Sequence, residues 1–108
     1  MDEYKVVYSA KALRDLKDIY VAILLASSYP AMAERITKRI RNEIISLREM
    51  PERYALVEWE PWASMRMHKR PVGKYVIFYL VDRNKKLVSV VRIFYGGRDI
   101  ENIAKEEN

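Results

Sequence analysis

The first half of the chain carries apolar residues at helical spacing, which predicts two amphipathic helices after a short strand. The strand is predicted at residues 4–8, and Ser9 follows it where a helix N-cap is expected. The first helix should end near Ser27, and Pro30 suits the first turn of a second helix that closes near Pro51. A short loop between two helices predicts an antiparallel hairpin. The two apolar stripes are Leu13, Leu16, Ile19, Tyr20, Ile23 and Leu24, and then Ala33, Ile36, Ile40, Ile44 and Leu47.

The second half of the chain changes to short β-type runs, which predict strands at 53–60, 65–70, 75–81 and 88–95. Residues 82–86 form a polar hairpin loop, and residues 100–108 a short polar tail with one helical turn or more. Strands joined by short turns pair antiparallel. The prediction is therefore an α+β fold in a single domain, 1–108. It has an N-terminal strand, an antiparallel helical hairpin and a mostly antiparallel three- to four-stranded sheet.

The strand at 75–81 is apolar enough to suggest which sheet face the helices cover. Val76, Phe78 and Leu80 share one wholly apolar face, which we expect to pack against the helices. Tyr75 and Tyr79 lie on the other face, where phenol hydroxyls can stay hydrated. No second helical layer is predicted, so this other face is expected to be open to ligands.

The composition narrows the chemistry. The net charge of +5 and the pI near 9.5 favour an anionic partner. The chain has no cysteine, which argues against a disulfide framework. It has only one histidine and no carboxylate cluster, which argues against a metal or other cofactor. No apolar run could cross a bilayer and the N-terminus is unlike a signal peptide, so a cytoplasmic protein with no membrane partner is expected. The second predicted helix has a basic face, which is either simply solvated or a docking surface for an acidic partner. Its residues are Arg35, Lys38, Arg39, Arg41 and Arg48.

Arg92 is the most conspicuous candidate functional residue, because it lies inside the apolar run 88–95. A buried guanidinium needs a partner. Either Arg92 pairs with a carboxylate, or it joins Tyr95 and Arg98 at the strand end to bind a phosphate-bearing ligand. Strand alternation also places Arg66, His68 and Arg70 on one side of the strand at 65–70.

If that side is the open face, the arrangement suits metal-free RNA cleavage. Arg66, Arg70 and Arg92 would hold the phosphate, and Tyr95 or His68 would transfer protons. Additional phosphate-binding cations are Lys69, Lys74 and Arg98. These residues also have plain structural alternatives: His68 as a surface or hydrogen-bonded histidine, Arg66 and Arg70 as edge-strand cations that block unwanted pairing, and Tyr75 and Tyr79 as framework residues.

Over almost its full length, the chain resembles the RelE/ParE superfamily of toxins from type II toxin–antitoxin systems. The resemblance implies the RelE-like fold and an acidic, partly disordered antitoxin that wraps the toxin. It maps the family's sheet arginines onto Arg92 and onto Arg66 or Arg70, with His68 near that second position, and its C-terminal aromatic onto Tyr95. The matching stretches are 4–10 with Ala12, Asp15 and Leu16, then Leu47 with 51–53, then 72–79, then 92–100.

The resemblance leaves the target open. RelE-like members cut mRNA in the ribosomal A site, which implies the ribosome and mRNA as partners. ParE-like members poison DNA gyrase without known nuclease chemistry, and the ending 96–99 looks at least as much like theirs. The expectation is a ribosome-dependent mRNA endoribonuclease, with gyrase poisoning as the alternative and a basic interaction module that has lost its toxicity as a third possibility.

Overall fold

A computed structural model describes residues 3–106, which form a four-stranded mixed sheet with three helices. Along the sheet the strand order is β1-β4-β3-β2, with β1 parallel to β4 and the other neighbours antiparallel. The predicted α+β architecture is confirmed. In the described part of the chain, no helix is both long and apolar enough to cross a membrane. The elements are β1 (Lys5–Tyr8), α1 (Ala10–Ser27), α2 (Pro30–Ile45), β2 (His68–Val72), β3 (Tyr75–Asp82), β4 (Leu87–Tyr95) and α3 (Ile100–Glu106).

The helical hairpin follows its predicted boundaries closely. The Ser9 hydroxyl accepts a hydrogen bond from the Ala12 N–H at 2.9 Å and donates one to the Val91 carbonyl at 2.8 Å. This N-cap therefore also ties the start of α1 to β4. Ser28 ends α1 in the left-handed conformation, and Pro30 opens α2. Helix α2 ends earlier than predicted, and two short 3₁₀ turns lead to residue 53.

Two hydrophobic cores lie on opposite faces of the sheet. Helices α1 and α2 cover the first core. The segment 57–67 and helix α3 cover the second. The expectation of an open sheet face is therefore wrong. The first core includes Leu16, Ile40, Ile44, Ile77, Tyr79 and Ile93, and the second contains Val57, Trp62, Met67, Phe78, Phe94 and Ala104.

The predicted orientation of β3 is also wrong. Ile77 and Tyr79 pack toward the helices, whereas Phe78 packs into the second core. Tyr79 can be buried because its hydroxyl donates a hydrogen bond to the Pro51 carbonyl at 2.6 Å. Because both faces of β3 are apolar, alternation alone could not decide which one the helices cover.

The segment 53–67 differs most from prediction. Residues 53–60 form no continuous strand, and within them only Leu56 makes an isolated bridge, to His68. Instead, Trp59 stacks on Trp62 with ring centroids 5.1 Å apart, and Trp62 lies 4.8 Å from the Phe78 ring. Burying these indoles folds the segment over the sheet, so that β2 begins only at His68.

Candidate functional site

Arg92 is held in an ion pair with Asp15 of α1. Its Nε donates to Asp15 Oδ2 at 2.7 Å and its Nη2 to Oδ1 at 2.9 Å, while the Ile93 N–H also donates to Oδ2 at 2.9 Å. The two side chains are only 12% and 10% exposed. Of the two alternatives for Arg92, the structure therefore favours the carboxylate pair over a phosphate-binding role.

The topology of the sheet explains this contact. Strand β1 pairs with β4 only as far as Val90, so the remaining edge of β4 has no strand beside it there. Two side chains bond this edge instead. The Ser9 hydroxyl donates to the Val91 carbonyl, and the Asp15 carboxylate of α1 accepts from the Ile93 N–H. Asp15 thus satisfies a backbone donor and neutralises a buried cation at once.

Arg70 and His68 on β2 also have structural partners. Arg70 pairs with Glu43 of α2 at 3.0 Å, and its guanidinium carbon lies 4.5 Å from the centroid of the Tyr54 ring. His68 is buried, its ring stacks on Tyr79 with centroids 5.1 Å apart, and its Nδ1 lies 2.8 Å from the Tyr54 carbonyl. Because a carbonyl only accepts, Nδ1 carries the proton. The His68 contacts match the hydrogen-bonded histidine of its structural alternative. Arg70 is instead half-buried in an ion pair with the helical hairpin, which differs from the edge-strand cation of its alternative.

Arg66 does not share a strand face with His68 and Arg70, which corrects the prediction from alternation. It lies in a turn with φ of 59°. The turn borders an open polar groove of about 800 Å³ beside the β3–β4 turn, where Glu52 pairs with Arg83 at 2.8 Å. The pKa of Glu52 is lowered, first by its hydrogen bond with Arg83 and then by the positive charge of Arg83, with a smaller effect from Arg66. This groove therefore contains its own carboxylate counterion.

Tyr95, Arg98 and Lys74 lie together at the other end of the sheet. Tyr95 is 46% exposed, and its ring meets that of Tyr75 edge-on at 5.8 Å. The Gly96 N–H donates to the Lys74 carbonyl at 2.7 Å, which brings the β2–β3 turn to this end. The Arg98 guanidinium carbon lies 5.4 Å from the centroid of the Phe94 ring. A cleft of about 300 Å³ here is lined by Asp15, Asp18, Ile19, Ala22, Tyr75, Ile93, Tyr95 and Arg98.

The two candidates for proton transfer are far apart. His68 is in register with Tyr79 and Tyr95 with Tyr75, so their rows lie four residues apart along β3. That separation is ~13 Å at the usual rise per strand residue. His68 and Tyr95 therefore do not face one phosphodiester. Lys69 is half-buried on edge strand β2 with its N–H donating to the Ala55 carbonyl, away from the cluster around Tyr95. Among residues 3–106, no three His, Asp or Glu side chains gather as a metal site.

An apolar groove of about 500 Å³, which was not predicted from the sequence, lies between the helical hairpin and the β2–β3 turn. Its rim carries Arg39 and Lys74, and the Arg39 guanidinium lies against Gly73, where a Cβ would be 3.3 Å from Nη1. Beyond the groove the hairpin tip exposes Leu25 (78%) and Tyr29 (68%). The only signal in the sequence was this pair of large apolar residues around a helix break. The lining residues are Ile23, Ala26, Ser27, Met32, Ile36, Arg39, Ile40, Val72, Gly73, Lys74 and Tyr75.

An apolar floor with a cationic rim has a definite chemical preference. Such a surface suits an amphipathic segment that buries apolar side chains and places carboxylates beside Arg39 and Lys74. Exposed apolar patches of this kind mark binding sites for proteins more often than catalytic sites. The groove is therefore the strongest candidate for a protein-binding site in the described chain.

Comparison with known proteins gives a consistent family. Residues 6–100 match the sequence model of the ParE toxin of type II toxin–antitoxin systems, parDE. Among solved structures, a chromosomal ParDE toxin–antitoxin system from P. aeruginosa superposes with a TM-score of 0.71 at 17% identity, covering 88% of this chain and 98% of that one. No curated protein sequence matches the chain.

Two RelE-type structures share the fold as well. The RelBE2 toxin–antitoxin complex from Mycobacterium tuberculosis gives a TM-score of 0.62 at 19% identity, covering 88% of this chain and 93% of that one. The isolated E. coli RelE toxin gives 0.58 at 16% identity, covering 96% and 97%. At these identities the structures establish the common fold.

Proposed function

The chain belongs to the ParE toxin family of type II toxin–antitoxin systems, and from this premise we propose that it is a toxin that poisons DNA gyrase by binding, without cutting RNA. The proposal takes the second of the two targets that the resemblance implied. It differs from the expected mRNA endoribonuclease because three of the residues assigned to that chemistry, His68, Arg70 and Arg92, have structural partners.

One observation supports this choice above all: the buried ion pair of Arg92 with Asp15. An arginine that clamps a phosphodiester must present free donors to the phosphate oxygens. Here Nε and Nη2 of Arg92 both donate to the same carboxylate. Binding a phosphate instead would leave Asp15 buried without its cation, which is strongly unfavourable. Arg70, through its pair with Glu43, is restricted in the same way.

The mRNA-cleaving alternative has one observation in its favour. Tyr95, Lys74 and Arg98 gather beside an open cleft at one end of the sheet. An exposed phenol between two cations could contact an RNA phosphate. His68, the other group assigned to proton transfer, lies on a distant row and cannot act with Tyr95 on one phosphate. The carboxylates that share the cleft are Asp15, which is held by Arg92, and Asp18, whose negative charge repels an RNA phosphate.

A supercoiling assay tests the proposal. Purified toxin is added to gyrase, ATP and relaxed plasmid, and the products are denatured with detergent before electrophoresis. We expect less supercoiled plasmid and new linear DNA from trapped cleavage complexes, and we expect toxin preincubated with its antitoxin to be inactive. If supercoiling proceeds unchanged at every toxin concentration, the protein is not a gyrase poison.

We propose further that the cognate antitoxin places an acidic amphipathic segment in the groove between the hairpin and the β2–β3 turn. The apolar floor and the cations Arg39 and Lys74 complement such a segment. Met32→Glu puts a carboxylate into the lining, so we expect antitoxin affinity to fall at least tenfold by calorimetry. Val21→Glu is the matched control, because Val21 is exposed on α1 and does not line the groove. Equal affinities for both variants would place the antitoxin elsewhere.

A further inference from the structure

Helix α2 exposes four cations that the fold does not use. Arg35, Lys38, Arg39 and Arg41 are all exposed. Within residues 3–106, none of these four has a carboxylate within ion-pair distance, whereas Arg70, Arg83 and Arg92 all have one. Of the two acidic residues in α2, Glu43 is already engaged by Arg70. The other acidic residue, Glu34, is exposed and makes no ion pair with these cations, so within residues 3–106 their positive charge has no carboxylate partner.

Helical geometry spreads these cations over the solvent-exposed half of α2, along an arc of about 160°. At 3.6 residues per turn, Arg35, Lys38 and Arg39 point away from the buried stripe of α2, and Arg41 lies on their flank. That buried stripe is Ala33, Thr37, Ile40 and Ile44. We call Arg35, Lys38, Arg39 and Arg41 the basic helix face.

The composition of this face excludes several kinds of partner. Stable protein interfaces are anchored by buried aromatic or large apolar side chains. The exposed apolar residues of α2, Met32 and Ile45, lie at its two ends, outside the run of cations. Single-stranded nucleic acids bind by stacking their bases on aromatic rings, and α2 contains no aromatic residue. A duplex presents only its phosphates to a surface of this kind, which needs cations and nothing else.

From these observations we propose that the basic helix face binds the phosphate backbone of duplex DNA, without reading its sequence. From Arg35 to Arg41 the helix spans ~9 Å, a length over which the two strands of a duplex together carry about five phosphate charges. The affinity comes from the release of counterions. This inference goes beyond gyrase poisoning, which requires a contact with the enzyme and not with its DNA.

The test measures how binding depends on salt. Full-length toxin is titrated into a labelled 20-base-pair DNA duplex, and anisotropy is followed over a series of salt concentrations. The variant Arg35→Gln/Lys38→Gln/Arg41→Gln removes three proposed phosphate contacts. We expect its affinity at low salt to fall at least tenfold, and the slope of log K against log salt to flatten by about 2.7, at ~0.9 per contact.

A matched triple variant separates this face from net charge. Lys5→Gln/Lys85→Gln/Lys105→Gln removes the same charge from exposed positions elsewhere on the molecule, and its slope should stay that of the parent. Circular dichroism confirms that each variant is folded. If both triple variants lose affinity equally, or if the parent binds no duplex at low salt, the inference is overturned. Tighter binding to the single strand would also overturn it.

The outcome is independent of the proposed function, because gyrase is absent from the assay. DNA binding by a toxin that leaves supercoiling unchanged would uphold this inference and contradict the gyrase proposal. Gyrase inhibition that survives in the α2 triple variant, together with no DNA binding by the parent, would do the reverse. A duplex RNA of equal length shows whether the same phosphate chemistry extends to RNA.

Discussion

At the scale of single residues, Asp15 joins helix α1 to strand β4. Its carboxylate receives the Arg92 guanidinium and the Ile93 N–H while its backbone belongs to α1. The sequence indicated that Arg92 needed a partner, because a guanidinium inside an apolar strand is costly to desolvate. It could not identify Asp15, which lies 77 positions away and reaches β4 only where β1 has ended.

Removing Asp15 should therefore cost far more than breaking a surface ion pair. Asp15→Ala removes the carboxylate that pairs with the buried Arg92 guanidinium and accepts from the Ile93 N–H, so we expect the free energy of unfolding to fall by ~3–5 kcal/mol. Urea denaturation measures the change. The control is Glu52→Ala, which breaks the exposed pair with Arg83 and should cost no more than ~1 kcal/mol. Similar losses in both variants would show that the Asp15 contact is not a buried structural pair.

The buried hydroxyl of Tyr79 should make the stability of the fold depend on pH in the alkaline range. Burial raises the pKa of Tyr79 above its ordinary value of about 10. Its folded-state pKa is raised, so its contribution to stability is complete below pH ~10 and is lost as pH rises toward the folded value. Tyr79→Phe removes the hydrogen bond to the Pro51 carbonyl and should cost ~1–2 kcal/mol at pH 7.

Above pH 10 the stabilities of the parent and of Tyr79→Phe should converge, because only the parent carries this ionisable hydroxyl. Urea denaturation at pH 7 and at intervals up to pH 11 measures the difference. A difference that stays constant over this range would contradict a raised pKa for Tyr79.

At the scale of elements, local signals predicted the helices well and the segment 53–67 poorly. Ser9 and Pro30 mark helix starts through chemistry confined to one turn, so the hairpin could be predicted from sequence. Residues 53–60 have the composition of a strand, but Trp59 and Trp62 pack on Phe78, a contact between distant positions. The sequence does not reveal this contact. The predicted open face, and the predicted shared site of Arg66, His68 and Arg70 on it, were therefore wrong.

The segment 57–67, which covers the second core, should therefore be essential for stability. Trp62 is buried against Phe78, and we expect Trp62→Ala to lower the free energy of unfolding by ~3–5 kcal/mol. The control Leu25→Ala, at an exposed position of the hairpin tip, should stay within ~0.5 kcal/mol. If Trp62→Ala were as stable as Leu25→Ala, the second face of the sheet would not be a packed core.

At the scale of the whole molecule, the sheet is a packed framework and the binding surfaces lie around it. The apolar groove and the basic helix face both border the helical hairpin. The groove has the apolar anchors of a protein-binding site, and the basic face lacks them. Family membership could be predicted from motifs spread along the chain, because they encode the fold. The toxin's target could not be predicted from the sequence, because it depends on which charged side chains the fold leaves unpaired.

Mapping of cellular mRNA by primer extension, with plasmid topology followed in the same cultures, is the most direct test of a toxin that binds rather than cuts. After induction, we predict that translated transcripts gain no new 5′ ends while plasmids become relaxed or linear. The same result should hold for Tyr95→Phe. New ends within codons that appear with the parent and disappear with Tyr95→Phe, on plasmids of unchanged topology, would contradict the account.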